Sequence, residues 1–161
     1  MDQAIAIQEL TDSGAVTAAL KTEHQAIEDA LQSLDNAISA GAIPPVLTGI
    51  IDVVVDFCTS HFDKEELAFR DSGYAGTDAH ERAHQLLLGR IRAARLAIGE
   101  GQPGAALGAR DLLNHIHEHI ADFDRPAYVQ LLWKHIESGG QTFNRMFELC
   151  RSEEGALQPT I

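Results

Sequence analysis

His61 and Glu65 stand four residues apart, and so do His80 and His84. An α-helix turns about 100° per residue, so side chains four apart lie one above the other on a single face. Each pair therefore offers two lone-pair donors in one direction, an imidazole with a carboxylate and an imidazole with an imidazole. Between the pairs, Asp71-Ser72-Gly73-Tyr74-Ala75-Gly76-Thr77 contains two glycines and leads to capping candidates at Thr77 and Asp78, so it reads as a turn. Helices joined by so short a turn run antiparallel as neighbours. The two pairs then face each other, as half of a metal site would.

The elements that position these residues are helical. From about Val16, Leu20, His24, Ile27, Leu31, Leu34 and Ile38 follow steps of three and four, with Lys21, Glu28, Asp29 and Asp35 on the polar side. Gly41-Ala42-Ile43-Pro44-Pro45 ends this helix and opens the next, proline being tolerated in a first turn. The second helix carries one stripe of Leu47, Ile50, Ile51, Val54, Phe57, Cys58, His61, Phe62, Glu65 and Phe69. A third spans about Asp78 to Ile98, through His80, His84, Leu87, Ile91, Ala94 and Ile98, and the glycine-rich run 99–104 breaks it. A fourth follows through Leu107, Leu112, Ile116, Ile120 and Phe123. Pro126 should bend or stop it, because its ring crowds the carbonyl of Asp122.

Residues 1–13 are weakly periodic and read as a loosely packed arm. Beyond Pro126, Tyr128, Leu131, Leu132, His135 and Ile136 suggest a further helical segment, closed by Ser138-Gly139-Gly140. Phe143, Met146, Phe147 and Cys150 suggest a last short piece, with Ser152 to Ile161 frayed. The expectation is an all-α fold, an up-down-up-down four-helix bundle over 15–130, preceded by an arm (1–14) and followed by a helical extension (131–161).

At 161 residues the chain suits one such domain. Its 24 acidic against 12 basic residues give a formal charge of −12, which repels phosphate backbones and anionic lipid, so neither nucleic acid nor a membrane surface is an expected partner. The longest apolar stretch, Val46 to Cys58, is interrupted by Asp52 and Asp56 and is too short to span a bilayer. No secretory signal opens the chain, so a cytoplasmic location with reduced cysteines is expected. Cys58, three residues before His61, is either a neighbour of the metal or a small buried hydrophobe.

Eight histidines are many for such a chain, and every helix carries at least one on its apolar side. A lone histidine there is ordinarily a hydrogen-bonded core residue. Several together, with a carboxylate, would cost about 1–3 kcal/mol per unsatisfied group, and a metal removes that cost by accepting them all. On the fourth helix the choice lies between His117 with Asp122 and His119 with Asp124. At about 100° per residue, His119 and Asp124 each fall about 70° from the apolar direction, whereas Asp122 lies nearly opposite it. His119 and Asp124 are thus the inward pair. They sit about 140° apart on an ideal helix, so a π-bulge or bend must widen the turn between them. Five histidines and two carboxylates suit iron, manganese or zinc, and seven donors exceed one ion's usual number, so two carboxylate-bridged ions are expected.

His24, His61-x-x-x-Glu65, His80-x-x-x-His84 and His119-x-x-x-x-Asp124 resemble the ligand set of the hemerythrin family, in order and in spacing. The words around them are similar too: His-Phe-Asp-Lys-Glu-Glu at 61–66, Tyr74 before the third helix, and His119-Ile120 followed by Asp124 and Tyr128. The resemblance covers about residues 17–130 and is strongest to bacterial hemerythrins. It implies two iron ions: His80, His84 and His119 on one, His24 and His61 on the other, Glu65 and Asp124 bridging with an oxo or hydroxo group, and an open position on the second iron for dioxygen. Azide and nitric oxide would be further exogenous ligands. Leu20, Ile27, Phe57, Leu87 and Ile116 would form an apolar sleeve around the ligand pocket, with Ile116 at the position that covers it.

His115 departs from the pattern, standing where relatives commonly carry tryptophan, and Phe69 stands where methionine is frequent. His115 would be a neighbour of the ligands, a proton donor, or a solvated edge residue. The extension from 131 would either cap the bundle or form an interface with a partner or a second copy. The function expected is reversible dioxygen binding for carriage, storage or sensing, without catalysis. The alternative is a di-iron oxidase, peroxidase or nitric oxide-handling enzyme on the same site.

Overall fold

A computed structural model of the protein describes the backbone of residues 3–137 and the side chains of 19, 20 and 22–131. The helices are α1 (Gln3–Ser39), α2 (Pro44–Ser72), α3 (Thr77–Gly99), the short α4 (Ala105–Ala109), α5 (Asp111–His119) and α6 (Arg125–Glu137), with a π-helical turn at Ile120–Asp124 joining the last two. α5, the π-turn and α6 run on as one arm, so α1, α2, α3 and this arm make the expected all-α four-helix bundle. Among the described residues there is no strand.

Local chemistry sets the boundaries. Pro44 and Pro45 open α2, where their missing N–H groups cost nothing. Gly73 ends it in the left-handed region (φ 62°), and the Tyr74 N–H reaches back to the Phe69 carbonyl at 3.0 Å. The ring of Tyr74 then lies over Gly76, where a Cβ would stand only 2.5 Å from it. This close approach folds the α2–α3 connection tightly enough to bring His61 and Glu65 opposite His80 and His84. Thr77 does not cap α3 as expected. Its hydroxyl donates backward to the Tyr74 carbonyl at 2.6 Å, and Gly76 holds the N-cap position.

The buried side chains divide into two apolar clusters. The larger, from Ile27, Leu31 and Leu34 through Ile51, Val54 and Ile91 to Leu112 and Ile116, fills one length of the bundle. The smaller, of Leu20, Ala68, Phe69, Ala127 and Leu131, lies towards the α2–α3 turn with Tyr74 and Tyr128 packed on it. α2 is long and apolar enough by length and composition to cross a membrane. Its inward stripe, however, is taken up by the bundle and includes the buried Lys64 and Glu65.

Several expectations change. α1 begins at Gln3, so the backbone of residues 3–13 is helical and continuous with the rest of α1; once a helix is nucleated, residues of middling propensity extend it. Pro126 does not stop the fourth arm, which runs on to Glu137, and the segment from Tyr128 is part of it. Leu107 sits on the separate α4 and is 64% exposed, while Ala109 points inward. Phe57 leaves the sleeve: it lies about a quarter-turn from the centre of the buried stripe, is 42% exposed, and its neighbour Cys58 takes the inward position. The expected terminal piece from Phe143 to Cys150, the frayed end and any interface on residues 138–161 lie outside the described residues.

Candidate metal centre

Between the two clusters the polar side chains gather. Among the described residues, the buried polar ones apart from Lys64 are His61, Glu65, His80, His84, His119 and Asp124. His24 completes the set at 12% side-chain exposure. All seven residues singled out from the sequence therefore meet in one place, three helices and the fourth arm each contributing.

The π-turn makes this possible. The Arg125 N–H bonds to the Ile120 carbonyl, five residues back, which widens the turn and brings Asp124 round to the side of His119. His119 Nε2 and Asp124 Oδ1 are 3.0 Å apart. The widening also relieves the crowding that Pro126 would impose on a regular helix.

The carboxylate oxygens are divided between two groups of imidazoles. Asp124 Oδ1 lies 3.0 Å from both His80 Nε2 and His119 Nε2, and Glu65 Oε2 lies 3.1 Å from His84 Nε2 and 3.6 Å from His80 Nε2. The other two oxygens face the opposite way, Asp124 Oδ2 at 3.1 Å from His24 Nε2 and Glu65 Oε1 at 3.5 Å from His61 Nε2. One position thus has five donors (Glu65, His80, His84, His119, Asp124) and the other four (His24, His61, Glu65, Asp124).

These donors fit a pair of metal ions. His61 Nε2, His80 Nε2, His84 Nε2, His119 Nε2, Glu65 Oε2 and both oxygens of Asp124 are buried without a hydrogen-bond partner. They are close enough to interact electrostatically but are not directed at one another as hydrogen bonds require. So many orphaned atoms at one point would be costly, and a cation answers all of them.

Burial alone would push the Glu65 carboxyl up, but the facing His61 charge and the contacts with His80 and His84 hold it at about 2. Burial likewise opposes ionisation of Asp124, which His119, His24 and His80 nonetheless keep far below the usual carboxylate range. The His80 imidazole, lowered by burial, is raised by Asp124 and Glu65 to about 9. His84 falls below its ordinary value, burial outweighing Glu65. Both carboxylates are therefore anionic and demand positive charge where water does not reach.

A surrounding layer holds the ligands, and sequence spacing did not point to it. His61 Nδ1 meets Glu23 Oε2 at 2.8 Å, and Lys64 Nζ meets the other oxygen of Glu23 at 2.5 Å. His84 Nδ1 meets Glu66 Oε1 at 3.2 Å, and Arg70 binds Glu66 at 2.9 Å. A carboxylate on the outer nitrogen fixes the tautomer that leaves Nε2 free for a metal, and makes that nitrogen more basic. Phe62 stacks on His84 with ring centres 3.8 Å apart, and Phe123 stacks on His119 at 5.3 Å. The Tyr128 hydroxyl donates to Glu65 Oε1 and lies 3.5 Å from His24 Nε2. Burial, with Glu65 and Asp124 nearby, pushes this phenol well above its ordinary pKa, so it stays a donor.

Other residues fall away from the centre. His117 is half-exposed and pairs with Glu28 at 3.1 Å. His115 accepts from Arg90 at 2.9 Å at the bundle's edge, in keeping with the solvated-edge alternative. Cys58 is a fully buried thiol of the larger cluster, pushed up to about 12 by burial, and reads as core. Of the residues expected in the sleeve, Leu20, Ile27, Leu87 and Ile116 are buried at 5% exposure or less, Leu20 in the smaller apolar cluster and the other three in the larger.

Fold and site together define an all-helical bundle with a buried, histidine-rich cluster that includes Glu65 and Asp124 and is able to hold metal. Residues 15–137 match the family model of the hemerythrin HHE cation binding domain. The chain belongs to the hemerythrin family, which implies a di-iron site. The bacteriohemerythrin of Pseudomonas aeruginosa is 28% identical over 108 residues, covering 65% of this chain and 70% of its own. That of Stenotrophomonas maltophilia is 32% identical over 107 residues, covering 61% and 70%. No solved structure matches the chain significantly.

Proposed function

We propose that the protein binds dioxygen reversibly at two iron ions and does not turn it over. The observation that carries this reading is the unequal division of donors, five on the His80–His84–His119 side and four on the His24–His61 side. Two six-coordinate ions sharing the same bridges would leave the second with a position for an exogenous ligand. Iron held there would supply electrons to dioxygen and take them back on release.

The chain's own groups favour binding over turnover. Five neutral imidazoles with only two carboxylates donate less negative charge than the carboxylate-rich sets of di-iron oxidases, and so stabilise the ferric state less. Leu20, Ile27, Leu87 and Ile116 keep water from the centre. Tyr128 holds the Glu65 oxygen on the four-donor side, keeping a protonated donor next to His24. The bacterial relatives named bacteriohemerythrin support the same reading. Iron-loaded, reduced protein exposed to air should develop a charge-transfer band that bleaches under argon over repeated cycles. Rapid, irreversible conversion to the ferric form would overturn reversible binding in favour of a turnover enzyme.

A further inference from the structure

We propose that the cavity of about 320 Å³ between α1 and the start of α6 is the port through which small anions reach the His24–His61 position, with Arg125 drawing them in and Tyr128 at its inner end. This rests on the reading that the four-donor side keeps an open position.

The cavity is lined by His24, Gln25, Glu28, Ile120, Arg125 and Tyr128. Two of these belong to the centre: His24 is a donor, and the Tyr128 hydroxyl touches both His24 and Glu65. His24 is also the most exposed of the seven donors, at 12% against 6% or less for the others. The bundle therefore opens on the side where an exogenous ligand would bind.

A second cavity, of about 230 Å³, lies between α3 and α5. It reaches the centre only at His119, a donor of the five-donor group, and there the Phe123 ring stacks over the imidazole. Its arginine, Arg90, is engaged by His115.

Charge decides what the first cavity admits. The chain carries −12 overall, so anions approach most of its surface against repulsion. Among the described residues lining this cavity, Arg125 is the one fixed cation and Glu28 the one carboxylate, and Glu28 is met by His117 on α5. A guanidinium at the mouth raises the local concentration of small anions such as azide without contributing a ligand.

The test is the association rate of azide with the full-length, iron-loaded, oxidised protein, measured by stopped-flow absorbance at low and high salt. Arg125→Gln should slow association about threefold, the effect of one unit charge at short range in water, and high salt should erase the difference. Arg125→Lys should keep the wild-type rate, Arg90→Gln should leave it unchanged, and dissociation should not move. Gln25→Arg, on α1, adds a second cation to the cavity and should speed association. That arm still decides the matter if Arg125→Gln, next to Asp124, loses metal. A wild-type rate in Arg125→Gln, slowing in Arg90→Gln in its place, or no gain in Gln25→Arg would overturn the port. Absence of any azide band in the wild type would overturn the open position itself, and the port with it.

Discussion

Replacing Glu23 with glutamine should weaken one metal position and spare the other. Glu23 accepts from His61 Nδ1 at 2.8 Å and does not reach the inner donors. Glutamine keeps the volume and an acceptor oxygen and removes the charge, so His61 Nε2 becomes a poorer donor. Removing such an outer partner costs about 10- to 100-fold in metal affinity. The Glu23 side chain is 26% exposed, so solvent screens part of its charge, and the expected loss is near the lower end, about tenfold or 1.4 kcal/mol. Glu66→Gln is the mirror experiment, since Glu66 backs His84 at 3.2 Å on the five-donor side. Cobalt(II) titration followed by visible absorbance should resolve two binding steps, the five-donor position filling first. Glu23→Gln should weaken the second step and Glu66→Gln the first. Equal weakening of both steps by either variant, or weakening of the first by Glu23→Gln, would refute the division of donors.

Phe62→Ala should lower stability by about 3–5 kcal/mol in urea unfolding, since it opens a cavity under His84 where Phe62 is 3% exposed. In the metal-free chain, His80 is raised from 6.5 to about 9, so its stabilising protonation is complete below pH 6.5 and lost as pH climbs to 9. Glu65, lowered from 4.5 to about 2, contributes above pH 4.5 and loses that contribution as pH falls towards 2. Apo stability measured by thermal unfolding should therefore be greatest between pH 4.5 and 6.5. Zinc binding at pH 7 should release protons, seen as calorimetric heats that vary with the buffer's ionisation enthalpy. Cys58, buried with its thiol raised to about 12, should resist Ellman's reagent in a Cys150→Ser background until the chain unfolds.

Much of the centre was legible because helical periodicity reports which face a residue occupies. His61 with Glu65 and His80 with His84 announce themselves at a spacing of four. His119 with Asp124 needed one further step, since a spacing of five fits one centre only on a widened turn, and Pro126 supplied a reason for the widening. What stayed hidden depends on contacts between helices. Glu23 sits beside His24 in sequence yet serves His61 on α2, and Tyr128, noticed only as a similarity, reaches across to Glu65. Periodicity also misjudges residues at the margin of a stripe. Phe57 counts as apolar at the right step but lies at the edge, and Leu107 matches the fourth helix's rhythm while belonging to α4.

Two ions sharing Glu65 and Asp124 would be seen most directly by anomalous scattering at the iron edge from crystals of iron-loaded protein. Two peaks are expected, one among His80, His84 and His119 and one between His24 and His61, with Glu65 and Asp124 joining them. A single peak, or iron bound away from these seven side chains, would contradict the shared pair.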